Sequence, residues 1–274
     1  SKSKRNFPPM DEVLDTYGGD ILRYFILTSP IVEAEGARFY AEALDEVKRD
    51  FFLLLWNSTK YFNTYANRFN FLPTLNVPKS QNELDIWILT RLKDCINQIT
   101  EYLDNLQVLD ASRILGPFVT DLSTWYIRRS RERISSGDQE ALATLYYVLV
   151  QFSRLMAPFL PFISEKIYEI LNASSLTGFL SVHLDFYPQK EALTQAERDV
   201  LQKMENTRKL VTSALSIRNA QGIGVKQPLA RIAVLAQEGD IYPEVLMQEV
   251  NVKEIIFENL TLLDFSLKYN FSKS

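Results

Sequence analysis

Apolar residues recur along most of this chain at helical spacing. Between 37 and 69, Leu44, Val47, Phe51, Leu54 and Leu55 fall three or four positions apart, which predicts one long helix. Phe52, Trp56 and Phe62 widen that stripe, so the helix is expected to be buried on more than one side. A second run, 84–106, turns Ile88, Leu92, Cys95, Ile96 and Ile99 inward. A third, 110–134, contains Pro117, which is expected to kink it. A fourth, 139–171, is interrupted near Pro158 and Pro161.

The ends of these runs carry their own signals. Ser80 with Glu83, and Thr194 with Glu197, have the capping-box spacing. Ser136-Gly137-Asp138 marks a turn and a new helix start. Ahead of the long runs, residues 10–30 predict two short helices split at Gly18-Gly19. Asp20 is placed to cap the second, and Ile21, Leu22, Phe25 and Ile26 form its apolar side. Asp20 and Arg23, three apart, suit a local ion-pair brace. Residues 70–80 form a proline-bearing loop, and 172–190 an aromatic-rich one. The helix opened at Thr194 runs to about Asn219. Beyond it the period changes: 229–236 and 252–258 alternate and are rich in β-branched residues, with a short helical stretch between them.

The predicted fold class is therefore mainly α: an antiparallel helix bundle followed by a small C-terminal α/β module. The pattern divides the chain into three regions, 1–36, 37–192 and 193–274. Nine glycines in 274 residues suit long helices better than a turn-rich β fold. No run of about 18 apolar residues occurs, so no membrane span is expected, and no signal-peptide core is visible at the start.

Composition narrows the chemistry. Cys95 is the single cysteine and His183 the single histidine. An internal disulfide, a zinc knuckle and a His-rich metal site are thereby excluded, and a reducing compartment is favoured. No Walker or G-x-G-x-x-G loop is present. The net charge is −4, so nucleic-acid binding by bulk charge is not expected and any such role needs a local patch.

One patch stands out. The stretch 125–134, WYIRRSRERI, holds Trp125, Arg128, Arg129, Arg131 and Arg133 within two helical turns. On a 3.6-residue wheel they share one broad arc, opposite Ile127 and Ile134. A guanidinium donates two parallel hydrogen bonds to phosphate and stays charged. A neighbouring Trp can pack on it or stack on a base. The plainer alternative is a solvated face paired with Glu132 and nearby acids. A second basic stretch includes Arg218 and Lys226, which flank a turn at Gly222 and Gly224.

The N-terminal S-K-S-K-R-N, with Y-G-G-D-I-L-R-Y-F-I-L-T-S-P behind it, resembles the end of the catalytic core of class I aminoacyl-tRNA synthetases. Ser1-Lys2-Ser3 matches the last three positions of their K-M-S-K-S loop, and DILR at 20–23 their D-A-L-R segment. The 37–62 helix resembles the first helix of the anticodon-binding domain in the isoleucine, valine and leucine subgroup. WYIRRSRERI, IRNAQGIGVKQPLARIAV and NVKEIIF are most similar to isoleucyl members.

The resemblance implies a tRNA-binding role for Trp125, Arg128, Arg129, Arg131, Arg133, Arg218 and Lys226, with Lys2 at ATP phosphates. It implies a cytoplasmic, monomeric ligase that joins isoleucine to its tRNA with ATP and Mg. The nucleotide-binding core and editing domain would lie outside this sequence as partners of it. This stretch alone would then hold no catalytic residue, no cofactor and no metal, and would be inactive. A valyl member, or a helical protein-interaction scaffold that ignores RNA, are the alternatives.

Overall fold

The computed structural model describes residues 10–34 and 41–258. Over these residues the chain is mainly helical with one small parallel sheet near its C-terminal end, as the sequence pattern predicts. It divides into two compact units, Ser1–Leu193 and Thr194–Ser274.

The first unit begins with α1 (Met10–Tyr17) and α2 (Gly19–Thr28). Then α3 (Ala41–Val47) passes through a π-helical turn, Lys48–Phe52, into α4 (Leu53–Arg68). After a loop come α5 (Glu83–Asp104) and α6 (Val108–Thr120). The latter runs straight into a second π-helical turn, Asp121–Ile127, ahead of α7 (Arg131–Ser135). The unit closes with α8 (Gln139–Met156), α9 (Pro161–Ile170) and the short α10 (Ser174–Thr177).

Helix α8 is apolar nearly all round, and the structure places it at the centre of the unit. Leu142, Leu145, Val148, Phe152, Leu155 and Met156 are fully buried, and Ala143, Tyr147, Gln151 and Arg154 form a half-buried stripe on the remaining side, as expected for a helix buried over most of its circumference. It packs on α4, α5 and α9. From α5 come Ile88, Leu92, Cys95, Ile96 and Ile99, the inward set that the spacing predicts, together with Trp87. Burial pushes the Cys95 thiol up to about 12, so it remains neutral and acts as a packing residue.

Two expected caps are built differently. Helix α5 starts at Asn82, whose side chain accepts from the Leu84 and Asp85 amides. The Ser80 hydroxyl is drawn instead to the Asp85 carboxylate, 2.8 Å away. Asp20 sits inside α2 and serves a distant helix: its Oδ2 accepts from the Ile163 amide of α9 at 2.7 Å. Arg23 is likewise not an ion-pair brace. Its guanidinium donates to the Phe159 and Pro158 carbonyls. Both side chains thus clasp the turn between α8 and α9, a contact across more than 130 residues of sequence that no local pattern encodes.

In the second unit, α11 (Gln195–Ala220) opens with the predicted capping box of Thr194 and Glu197. Strand β1 (Leu229–Val234) pairs in parallel with β2 (Val252–Phe257), from Leu229↔Val252 to Val234↔Phe257. Between them α12 (Pro243–Val250) returns the chain, burying Val245, Leu246 and Val250. The Thr207 hydroxyl of α11 accepts from the Tyr242 amide at 2.9 Å, which fixes the entry to α12.

Asp20 makes the α2–α9 clasp sensitive to pH. Burial pushes its carboxyl above the usual carboxylate range, against the pull of the Ile163 and Phe162 amides and of Arg23. In the unfolded chain it ionises near pH ~3.9. Between that value and the raised folded one, the folded chain holds more protons than the unfolded. Stability therefore falls as pH rises through this window. Asp20→Asn keeps an oxygen for the Ile163 amide and removes the charge. Urea melts from pH 4 to 7 are expected to show the Asn variant gaining on the wild type as pH rises. The opposite trend would mean that the amide bonds to the charged carboxylate outweigh its burial.

Candidate nucleic-acid interface

The arginine-rich stretch does not lie on one regular helix. The π-helical turn over Asp121–Ile127 inserts an extra residue, which rotates the downstream side chains by roughly 100° relative to an unbroken wheel. At Ser130 the backbone leaves helical geometry (φ −84°, ψ 7°) before α7 begins. These two irregularities divide the arginines that the wheel places together.

Arg133 turns toward the bundle. Its Nη1 and Nη2 donate to the two oxygens of Asp85, both at 2.9 Å, and its Nε donates to Asp138 at 2.8 Å. Asp85 is fully buried. It also accepts from the Tyr126 hydroxyl at 2.9 Å, beside the Ser80 contact, so each oxygen has two donors. Burial disfavours the Arg133 charge, but the hydrogen bonds and charges of Asp85 and Asp138 outweigh it and hold its pKa above the ordinary arginine value. Burial, reinforced by Asp85, keeps the Tyr126 phenol protonated as a donor. Arg133 therefore has acids as partners, although they are Asp85 and Asp138 rather than Glu132.

Arg128 and Arg131 are exposed, and Arg129 and Trp125 are half-buried. The Arg128 guanidinium lies 5.9 Å from the Trp125 ring centre, while its Nε donates to the Thr124 carbonyl at 2.7 Å. The carbonyl of Arg131 accepts from the Tyr61 hydroxyl of α4 at 3.1 Å, and that bond joins the arginine stretch to a second feature.

Along α4 and its C-cap, Tyr61, Tyr65 and Phe69 recur every fourth residue. Their rings succeed one another at 4.8 Å and 6.5 Å between centres, all half-buried. Arg68 lies over Phe69 at 5.5 Å. Phe69 packs directly on Gly137, where a Cβ would come within 2.7 Å of its ring. The sequence pattern alone does not single out this ladder. Its signal is the i, i+4, i+8 aromatic spacing beside Arg68, which resembles an ordinary core stripe. The first unit thus carries an aromatic group with Arg68 at the end of α4 and a Trp125–Arg128 pair on the arginine stretch, linked through the Tyr61–Arg131 hydrogen bond. Planar rings offer stacking faces and guanidinium groups offer phosphate contacts, the combination that suits unpaired nucleotides.

The other predicted residues lie elsewhere. In the second unit Lys226 is exposed on the turn after α11. Arg218 is fully buried, and its Nη2 donates to the Gly224 and Gln227 carbonyls at 2.6 and 2.5 Å. Lys2 lies outside the described residues. Among the described residues no group of three or more His, Cys, Asp or Glu side chains could hold a metal ion, and no helix is long and apolar enough to cross a membrane.

The first unit is a helical bundle, and comparison with known proteins assigns the chain to a family. A family described as the anticodon-binding domain of tRNA ligase matches residues 85–234. The chain belongs to that family. An isoleucine–tRNA ligase of Protochlamydia amoebophila is 33% identical over 94% of this chain and 26% of its own length. The isoleucine–tRNA ligase of Chlamydia pneumoniae is also 33% identical, over 99% of this chain and 27% of its own. The chain thus spans about a quarter of the length of the curated relatives it matches. A LeuRS of Agrobacterium radiobacter, solved in a ternary complex with tRNA and LeuAMS, shares the fold with a TM-score of 0.51 and 17% identity, over 74% of this chain and 22% of that one.

The divided arginines predict divided effects. Arg133→Ala leaves the Asp85 carboxylate buried without its cation and is expected to destabilise the first unit by about 3 kcal/mol or more. Arg131→Ala, on the exposed side, is expected to leave the denaturation midpoint nearly unchanged. Chemical denaturation monitored by circular dichroism distinguishes them. Equal effects would contradict this division.

Proposed function

We propose that this chain is the anticodon-gripping part of an isoleucine–tRNA ligase, and that its first unit holds the anticodon stem-loop on the surface built by α4, the second π-helical turn and α7. The observation that carries this reading is the Tyr61–Arg131 hydrogen bond, which joins the aromatic ladder to the exposed arginines in a chain of the anticodon-binding family. Arg128 and Arg131 supply phosphate contacts, which position the RNA. Tyr65 and Trp125 supply stacking faces for splayed loop bases, where sequence is read. The isoleucine assignment is supported by the similarity to ligases of that name over nearly the whole chain. Ligation itself, with its ATP and Mg, belongs on this reading to the whole ligase, and this stretch alone forms no aminoacyl-adenylate.

Fluorescence-anisotropy titration with an isoleucine tRNA and an anticodon-swapped version, at several salt concentrations, tests the reading. Binding is expected to weaken with salt and on swapping. Arg128→Ala is expected to reduce the salt slope by about one contact. Tyr65→Ala is expected to weaken binding by about 5- to 100-fold, the loss of one stacked base. Binding that is indifferent to both salt and anticodon would overturn the proposal.

A further inference from the structure

Among the described residues of the second unit, Arg218 is a buried positive charge with no carboxylate partner. Arg218 ends α11 with no exposed surface. Its Nη2 donates to two neutral carbonyls, Gly224 and Gln227. Among the described residues its Nε and Nη1 have no hydrogen-bond acceptor, and no carboxylate pairs with it. A buried guanidinium left in this state is unfavourable.

Above it lies the loop 222–227. Asn251 ties the same loop from a second point, its Nδ2 donating to the Val225 carbonyl at 2.9 Å. Three carbonyls of this short loop are therefore drawn toward the protein. Val225, Lys226 and Gln227 stand exposed. Gly222 adopts a left-handed φ of 66° that turns the chain, and a Cβ placed on Gly224 would meet only open space. Such a loop gives a bulky backbone close approach. Carbonyl oxygens that would repel an anion are turned away, and two positive charges remain, one beneath the loop and one on it.

We propose that the 222–227 loop is a contact for the phosphate backbone of RNA, made by Lys226 and positioned from behind by Arg218, which does not itself touch the RNA. The choice of RNA rests on the function proposed above; the positioning role does not. Arg218 is thus a positioning residue rather than the direct tRNA ligand that the sequence suggests.

Two variants of the whole chain test this with two readouts. Amide hydrogen exchange without RNA reports the loop, and anisotropy with tRNA across salt reports the contact. Lys226→Ala is expected to leave exchange at 222–227 unchanged, lower the salt slope by about one and weaken binding by about fivefold. Arg218→Lys keeps a charge but loses the planar fork. It is expected to speed exchange at 222–227 and weaken binding while the salt slope stays that of the wild type. A lowered slope with unchanged exchange in Arg218→Lys would make Arg218 a direct contact and overturn the positioning role. Wild-type binding that Lys226→Ala leaves untouched overturns this contact alone. Absence of any wild-type binding overturns the tRNA reading itself, while the exchange result still decides whether Arg218 holds the loop.

Discussion

The first unit depends on how one buried carboxylate is neutralised. Asp85 has no exposed surface, and an isolated charge there would be strongly unfavourable. Two guanidinium nitrogens of Arg133, the Tyr126 hydroxyl and the Ser80 hydroxyl surround it. These partners come from the loop before α5, the second π-helical turn and α7. Asp138, which caps α8, holds the remaining Arg133 nitrogen. One charge therefore fixes the start of α5, the geometry of the π turn and the approach of α7 to α8. It also selects which arginine faces inward and leaves Arg128 and Arg131 on the outside.

Helix positions and most inward faces are legible in the sequence because burial imposes a period, and α5 and α8 display it. The capping box at Thr194 and the cap at Asp138 are legible because they are local. What escapes the sequence is non-local. Ser80 has the spacing to cap α5, but Asp85 attracts its hydroxyl and Asn82 takes the cap. Asp20 and Arg23 sit three apart as helix partners, yet each bonds to the turn at 158–163. In WYIRRSRERI the residue types are informative, but the wheel assumes an unbroken helix. The π turn and the break at Ser130 invalidate that assumption, and Arg133 finds its partner 48 residues away. The Tyr61–Tyr65–Phe69 ladder is hidden for the opposite reason. Aromatic residues at helical spacing indicate a core unless something shows that one flank is wet.

An acidic chain can still present a surface for RNA because screening makes charge a local property. Beyond about 8–10 Å in physiological salt, exposed charges contribute little to one another. The net charge of −4 therefore says less about binding than the immediate surroundings of Arg128 and Arg131. Rigidity adds to this. Tyr61 is pinned through its hydroxyl to the Arg131 carbonyl, and Phe69 is seated against Gly137. Rings held before a ligand arrives lose little freedom when a base stacks on them.

The half-buried Arg133 and the buried Arg218 differ in how their charge is met. Arg133 meets two carboxylates, Asp85 and Asp138, so its charge is balanced within the fold. Among the described residues Arg218 meets only carbonyl oxygens, so these partners do not cancel its positive field. A fold that needed only to brace a loop could do so with a neutral donor and avoid the burial of a cation. Retaining arginine there is physically reasonable if the field itself is useful, and the nearest surface on which it can act is the loop that carries Lys226. Burial alone therefore does not describe the electrostatic state of an arginine in this protein; the chemistry of its partners does, carboxylates for Arg133 and carbonyls for Arg218.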